Sequence, residues 1–207
     1  TVLWTGNATA DRAITGVGFQ PDFLWIKNRE VAEGHKSVDS VRGATKYLVP
    51  NNTDAEATDS DMVTSFDSDG FTIGAQASVN QDTKAIVGWS WLAGGTPTAT
   101  NVATTGVMTS GSVFQDGVSN TSFTPGSTIY PEKISANTTN GFSIVEYSGN
   151  VTLGATVAHG LSEAPELVIV KRLDSGGDWD VFSVPVGNTK ALQLNSVTAQ
   201  VTNNGYW

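Results

Sequence analysis

Short apolar runs bounded by Gly, Asn, Asp or Pro recur along the chain and predict β-strands. The run FLWIK at 23–27 follows Pro21 and has no polar alternation, so it predicts a strand that is covered on both faces. Four further runs of this kind lie within residues 1–95: VLW, YLV, GFTIG and AIVGWSWLA. No helical period is sustained for three turns, and residues 54–63 are interpreted as an acidic loop. The pattern indicates an all-β protein.

The segment QPDFLWIKNR at 20–29 has a second copy, APELVIVKRL at 164–173, in which Pro165 lies 144 positions after Pro21. The same offset aligns Lys27 with Lys171, Gly43 with Gly187, Leu48 with Leu192 and Asn51 with Asn195. An ordered match of this length predicts a duplicated unit. We therefore expect 20–27 and 164–171 to be equivalent central strands, with Phe23, Trp25, Leu167 and Ile169 buried.

The repeat suggests three regions. Residues 1–95 are predicted to form a β-sandwich module, jelly-roll-like, and 136–207 an incomplete copy of it that lacks the counterparts of 64–95. Residues 96–135 form a Gly/Thr/Ser-rich spacer, and we expect it to dock on a neighbouring module or subunit because it carries isolated apolar residues. The predicted assembly residues are those of the spacer and of the uncovered second module, namely Val113, Phe114, Phe123, Val168, Val170, Val181 and Phe182.

Charge and composition exclude several classes of protein. The chain has 207 residues, a formal net charge of −9, and 11 basic residues that do not cluster, so a nucleic-acid partner is not expected. It has no Cys, which rules out disulfides and thiolate metal sites. No run approaches the ~20 apolar residues of a membrane span, so membrane insertion is not expected. Apolar and aromatic ends, TVLW and GYW, suggest a segment of a longer polypeptide.

An acidic stretch, residues 54–70, is the candidate metal site. Hard cations such as Ca²⁺ bind several oxygen ligands, and Asp59, Asp61, Asp67 and Asp69 alternate with small residues as in a calcium loop. The later bidentate Glu of a helix–loop–helix site is missing. Tight turns made by Asp and Gly are the competing interpretation. No cofactor is expected apart from calcium at this stretch.

Tryptophans are the candidate glycan-binding residues. Trp89 and Trp91 lie two apart in a predicted strand, so both point to one face, where flat rings can stack on sugars. Trp179 is a third candidate, and burial in the core is the competing interpretation for all three. His35 and His159 lack any local signature of a triad, so no catalytic residue is predicted. A pair of carboxylates for glycoside hydrolysis stays open, but the sequence names no pair.

An ordered series of motifs carries a family resemblance: WTGN, GVGFQPDFLWIKNR, SVRGATKYL, FDSDGFTIG, VGWSWLAGG, SANTTNGFSIVEYSGN and VAHGLSEAPELVIVKR. Together they resemble a repeat domain of unknown function in large virion-associated proteins of marine bacteriophages. The resemblance covers nearly the whole chain and brings no catalytic residues with it. It implies a phage structural context, such as a tail fibre, spike, appendage or capsid-surface protein.

These observations predict a virion structural protein, at the surface or in a tail appendage, that assembles with copies of itself and with other virion proteins. A glycan-binding module for a host receptor is the first alternative, and a capsid decoration protein is the second. A polysaccharide depolymerase is the third, although we expect no enzymatic activity. An aromatic-lined surface would favour the glycan-binding module, and two convergent carboxylates in a cleft would favour the depolymerase.

Overall fold

The computed structural model describes residues 1–202, 205 and 207. The chain is nearly all β, with 35% strand and 2% helix, and its small, mostly antiparallel sheets are arranged like a four-bladed propeller. This confirms the all-β class. A jelly-roll sandwich is not shown, because the strands are divided among separate sheets of two to four strands. Among the described residues, no helix has the length and apolar character needed to cross a membrane.

The strands follow the chain in short pieces, with one helical turn between the eighth and the ninth. They are β1 (Val2–Thr5), β2 (Arg12–Thr15), β3 (Phe23–Asn28), β4 (Lys36–Asp39), β5 (Lys46–Tyr47), β6 (Ala57–Thr58), β7 (Val63–Asp67), β8 (Gly70–Ile73), β9 (Ala85–Trp91), β10 (Val113–Gln115), β11 (Val118–Ser119), β12 (Lys133–Asn137), β13 (Phe142–Glu146), β14 (Leu167–Lys171), β15 (Trp179–Ser183), β16 (Lys190–Gln193) and β17 (Val201–Thr202). The helix is α1 (Ala77–Asn80).

The first module is built around the sheet β1-β9-β3-β4, whose inner face meets residues of the sheet β2-β8-β7 in one core. Leu24 and Ile26 of β3 are fully buried there, because alternate residues of a strand point to the same face. Trp4 meets Phe71 edge to face at 5.7 Å between ring centroids. Its indole N–H donates to the carbonyl of Val79 at 3.0 Å. This core holds the two sheets together.

Strands from the second half of the predicted spacer form a separate sheet together with β13, in the order β11-β10-β12-β13. β10 pairs with β12 in parallel, and β12 pairs with β13 antiparallel. Val113 is fully buried in a second core with Met108 and Ile134, and Phe123 packs against that core. The apolar residues of this Thr- and Ser-rich segment therefore serve packing within the chain.

The two copies of the repeat share their strand pairing, residue for residue, at the 144-position offset. Phe23 pairs with Asp39 between β3 and β4, and Leu167 pairs with Ser183 between β14 and β15. The further equivalent pairs are Ser37 with Leu48 and Val181 with Leu192, then Lys46 with Thr58 and Lys190 with Thr202. The duplication predicted from sequence is therefore present in the backbone.

Side chains repeat some of this geometry. The side-chain Oδ1 of Asn51 accepts the backbone N–H of His35 at 2.7 Å, and the side-chain Oδ1 of Asn195 accepts the backbone N–H of Trp179 at 2.8 Å. Gly43 and Gly187 both have a positive φ, 110° and 87°, in the turn before the next strand. A side chain would be strained at that φ, which explains why glycine occupies both positions.

The two copies differ at the edge of the second sheet. β3 lies between β9 and β4, whereas β14 ends the order β14-β15-β16-β17. Leu167 is 59% exposed and Ile169 is 42% exposed, and Phe23 and Trp25 are only partly buried. The prediction of two equivalent central strands with these residues buried is therefore wrong. Phe23 and Trp25 lie on the outer face of their sheet, away from the core, and β14 has no described neighbour on the side where β9 pairs with β3.

The second module contacts the loop that follows β5 in the first module. The Trp179 indole N–H donates to the carbonyl of Asn52 at 3.2 Å, and the backbone N–H of Gly177 donates to that of Thr53 at 2.9 Å. The backbone N–H of Glu56 donates to the carbonyl of Leu173 at 2.8 Å. Backbone groups make most of these bonds, so they fix the position of one module on the other.

Candidate functional site

The candidate site is a set of aromatic side chains on the outer face of the β1-β9-β3-β4 sheet. Trp89 and Trp91 of β9 are 36% and 38% exposed. They pair across the sheet with Trp25 and Phe23 of β3, so all four rings lie on the face that points away from the core. With Phe142 of β13 these residues form what we call the aromatic row. The predicted pair of same-face tryptophans is thus placed at the surface.

Ring geometry in the aromatic row is specific. Trp91 meets Phe23 edge to face at 5.4 Å between centroids, and it stacks on Phe142 at 6.1 Å with 20° between the ring planes. Phe23 and Phe142 are 6.0 Å apart. Phe142 comes from the neighbouring sheet, so the row crosses the boundary between two sheets. Mutual contact of this kind holds each ring in one orientation.

A histidine orients Trp25, at the end of the row far from Phe142. The Trp25 indole N–H donates to Nδ1 of His35 at 2.8 Å, and the two rings meet edge to face at 5.9 Å. Burial lowers the pKa of His35, and the charge of Lys27 lowers it further. An imidazole that accepts at Nδ1 carries its proton on Nε2 and is neutral near pH 7. This part of the row is therefore uncharged.

A buried carboxylate lies next to the end of the row. Asp22 precedes β3 and accepts the Ser40 hydroxyl at 2.8 Å. It also accepts the backbone N–H groups of Ala93 and Gly95, just beyond β9, at 2.8 and 3.2 Å. Burial raises the pKa of Asp22 in spite of these bonds. Asp22 therefore fixes the end of β9 that carries Trp91.

The third tryptophan proposed from the sequence is not part of the aromatic row. Trp179 is 6% exposed, and its indole N–H is bonded to the first module. Its position in the repeat corresponds to His35. The positions of Phe23 and Trp25 are taken by Leu167 and Ile169, so the second copy lacks these two rings.

The four aspartates proposed for calcium take part in separate turns. Asp61 accepts the backbone N–H of Ala75 at 2.8 Å, and Asp59 accepts that of Asp61 at 2.8 Å. Asp67 accepts the hydroxyls of Ser65 and Thr72 at 2.8 and 2.7 Å. Within the described part of the chain, no three His, Cys, Asp or Glu side chains are grouped as metal ligands would be. Each of these oxygens accepts a hydrogen bond from a protein donor.

Asp69 also accepts hydrogen bonds that hold a turn in place. Its two carboxylate oxygens accept the backbone N–H groups of Gly16 and Gly18 at 3.1 and 2.6 Å. The bond from Gly18, followed by that from Gly16, lowers the pKa of Asp69. The carboxylate ties the turn between β7 and β8 to the end of β2.

The predicted assembly residues fall into two groups. Val113 is fully buried inside the chain, and Phe123 packs beside it, while Phe114 is partly buried. Val168 and Val170 are partly buried on the face of β14 that corresponds to the core face of β3. Apolar surface is thus left on the second module, while the spacer residues mainly pack within the chain.

Two surface clefts lie apart from the aromatic row. One, of about 420 Å³, is lined by Phe123, His159 and Leu161 among others, and the second, of about 300 Å³, includes Tyr130 and Asn101. His159 accepts the backbone N–H of Leu161 at Nδ1, at 3.1 Å. No Asp or Glu belongs to the described lining of either cleft. Neither cleft therefore presents the paired carboxylates of a glycoside hydrolase.

Fold and surface together define a tandem-repeat all-β protein with one aromatic surface. The chain belongs to the family described as Domain of unknown function (DUF7483), whose model matches residues 1–128 and again residues 114–207. The second match begins in β10, inside the segment predicted to be a spacer. A search of the curated proteins found no match. A search of the solved structures found none either.

Proposed function

We propose that the protein is a structural component of a bacteriophage particle, at the virion surface or in a tail appendage such as a fibre or spike. In this role it assembles with copies of itself and with other virion proteins. The observation that carries the proposal is the tandem arrangement of two family domains, of which the second leaves apolar strand residues exposed. Exposed apolar strands favour association. The resemblance of the motifs to virion-associated repeats supplies the phage context.

The first test is self-association of the purified chain. Light scattering across a hundredfold dilution should show oligomers that dissociate on dilution, and hydrogen exchange should be slower in β14 of the oligomer than of the monomer. A well-folded monomer at all concentrations, with the second module as protected as the first, contradicts the proposal. Immunogold electron microscopy of phage particles that encode the chain tests the location. Labelling absent from intact particles contradicts a virion surface.

Binding of a host surface glycan is the second candidate function, and the aromatic row favours it. Trp89 and Trp91 present partly exposed rings, and Phe23 and Phe142 hold the ring of Trp91 in place. Sugars stack on exposed aromatic rings. Titration with a panel of bacterial surface polysaccharides should change tryptophan fluorescence. Trp89→Ala should weaken the response, and Trp179→Phe is the matched control because Trp179 is buried. Equal responses in both variants contradict the glycan site.

A further inference from the structure

Indole N–H groups separate the tryptophans into two sets. Four of the six donate to acceptors within the chain, namely those of Trp4, Trp25, Trp179 and Trp207. Among the described residues, no protein acceptor takes the indole N–H of Trp89 or of Trp91. The two exposed tryptophans of the aromatic row therefore carry hydrogen-bond donors that the fold itself does not use.

Charged side chains beside the row are bonded to other protein groups. Lys27 follows the row along β3, and its amine donates to two backbone carbonyls at the end of that strand and just beyond it. Asp39 lies opposite Phe23 and is paired with Arg42 at 2.6 Å, and the side chains of this ion pair are 5% and 7% exposed. Because the chain as a whole carries a net charge of −9, an anionic ligand is disfavoured at this surface.

A ligand that suits this surface combines apolar faces for the rings with acceptor oxygens for the two indole N–H groups. A pyranose ring with equatorial substituents has both, because its axial C–H groups form an apolar face and its hydroxyl oxygens lie around the rim. An axial hydroxyl would place a polar group against an aromatic ring. A carboxylate would lose water there without gaining a cation.

A proline-rich peptide also offers apolar rings and carbonyl acceptors, but such peptides dock in grooves between aromatic side chains. The ring of Trp91 meets those of Phe23 and Phe142 at 5.4 and 6.1 Å between centroids, so these three rings pack against one another. This packing leaves no groove between them. The end of the row at Trp91 therefore favours a ligand that lies over the rings.

The spacing of the two free donors sets a lower limit on ligand length. Trp89 and Trp91 are two positions apart in β9, so their Cα atoms are separated by about 7 Å. A single pyranose ring is too small to contact both indoles fully. We propose that the aromatic row binds an uncharged oligosaccharide of two or more equatorially substituted pyranose units, whose oxygens accept the indole N–H groups of Trp89 and Trp91. This inference rests on the glycan-binding function proposed above and names its substrate class.

The test follows the indole ¹H–¹⁵N resonances of the full chain during titration with cellotetraose and with chitotetraose, two uncharged β-1,4-linked tetramers with equatorial substituents. The resonances of Trp89 and Trp91 should shift along one saturable curve, whereas those of Trp4 and Trp179 should not move because their donors are already bonded. Trp91→Phe keeps an aromatic ring and removes the donor, so it should weaken binding about threefold to tenfold. Trp91→Ala should weaken it further. Trp179→Phe makes the same chemical change outside the row and should leave the affinity unchanged.

Two further tetramers test the substrate class. The β-1,4-linked mannose tetramer differs from cellotetraose by an axial hydroxyl, and the β-1,4-linked glucuronate tetramer differs by a carboxylate. Each should bind at least about threefold more weakly than cellotetraose.

Equal binding of either tetramer, an affinity that Trp91→Phe and Trp91→Ala leave unchanged, or shifts confined to tryptophans outside the row would overturn this inference and leave glycan binding itself in place. Binding of neither cellotetraose nor chitotetraose, with binding of a charged polysaccharide, has the same meaning. Binding of a polyproline peptide and of no saccharide overturns both the inference and the glycan-binding function.

Discussion

Asp22 joins three segments of the first module through one carboxylate. Its partners are the hydroxyl of Ser40 after β4 and the backbone N–H groups of Ala93 and Gly95 after β9. The burial of Asp22 was not readable from sequence, because Pro-Asp before a strand equally suits an exposed turn. The partners lie 18 to 73 positions away along the chain. Hydrogen-bond partners that are distant in sequence therefore decide the role of this residue.

Asp22→Ala should destabilise the first module by about 2–4 kcal/mol, because three donors, two of them buried, lose their acceptor. Chemical denaturation monitored by tryptophan fluorescence measures the change. The repeat supplies a matched control, since Glu166 occupies the same position in the second copy and is exposed. Glu166→Ala should change stability by no more than about 0.5 kcal/mol. Similar losses in the two variants would show that Asp22 does not act through these bonds.

A second carboxylate, that of Asp180, differs from Asp22 in its hydrogen bonds. Its Oδ1 is buried without a hydrogen-bond partner in the described part of the protein, and burial, followed by the charge of Asp178, raises its pKa. The folded state therefore holds a proton that the unfolded state has released as pH rises above the ordinary value of 3.8. Stability from this group is present at low pH and is lost as pH rises through the raised pKa.

Asp180→Asn should consequently be more stable than the native chain at pH 7, because the amide is buried without a charge. The difference should shrink as the pH falls through the raised pKa of Asp180, because the native carboxyl is then neutral as well. Urea denaturation curves at a series of pH values measure it, with Asp178→Asn as the control for the neighbouring charge. A constant difference at all pH values would contradict this account.

At the scale of the strand, local sequence decides where strands form and distant strands decide which are covered. The runs FLWIK, GFTIG and AIVGWSW were predicted correctly because they are apolar and bounded by turn residues. β4 and β7 were missed, because KSVD and VTSFD are mostly polar and gain their burial from neighbouring strands. The segment LVIVK carries no local sign of its exposure, because exposure depends on a neighbouring strand that is not part of the segment.

The candidate site, like the strands, depends partly on local sequence and partly on contacts between distant segments. A period of two placed Trp89 and Trp91 on one face from sequence alone. Their contact with Phe23 depends on the pairing of β3 with β9, and Phe142 arrives from another sheet. Such contacts carry no local signal. The aromatic row could therefore be predicted in part, as two rings out of five.

Leu24 and Val168 form a matched pair for measuring how much burial of the core face contributes to the free energy of unfolding. They are equivalent in the repeat, yet Leu24 is fully buried and Val168 only partly so. Leu24→Ala should cost about 2–4 kcal/mol, because it leaves a cavity in a closed core. Val168→Ala should cost about 1 kcal/mol or less, since less apolar area is lost from water. Equal costs would mean that the core face of β14 is covered in solution.

At the scale of the whole molecule, Trp179 is a side chain that reaches from the second module to the first. Trp179→Phe keeps an aromatic ring and removes the indole N–H that donates to Asn52, so it should weaken the contact by about 1 kcal/mol. Hydrogen exchange should quicken at Gly177 and Glu56, whose N–H groups bond across the same contact. The core amides of β3 are the internal control. Unchanged exchange at Gly177 and Glu56 would contradict an anchoring role.

This contact joins unlike surfaces, because residues 171–179 of the second copy meet residues 52–56 of the first. Two identical patches facing each other would be related by a twofold axis and would close on themselves. A head-to-tail contact relates equivalent units by a rotation together with a translation. Repeated between further domains, such an operation would close into a ring if its translation were zero and would otherwise generate an open helix.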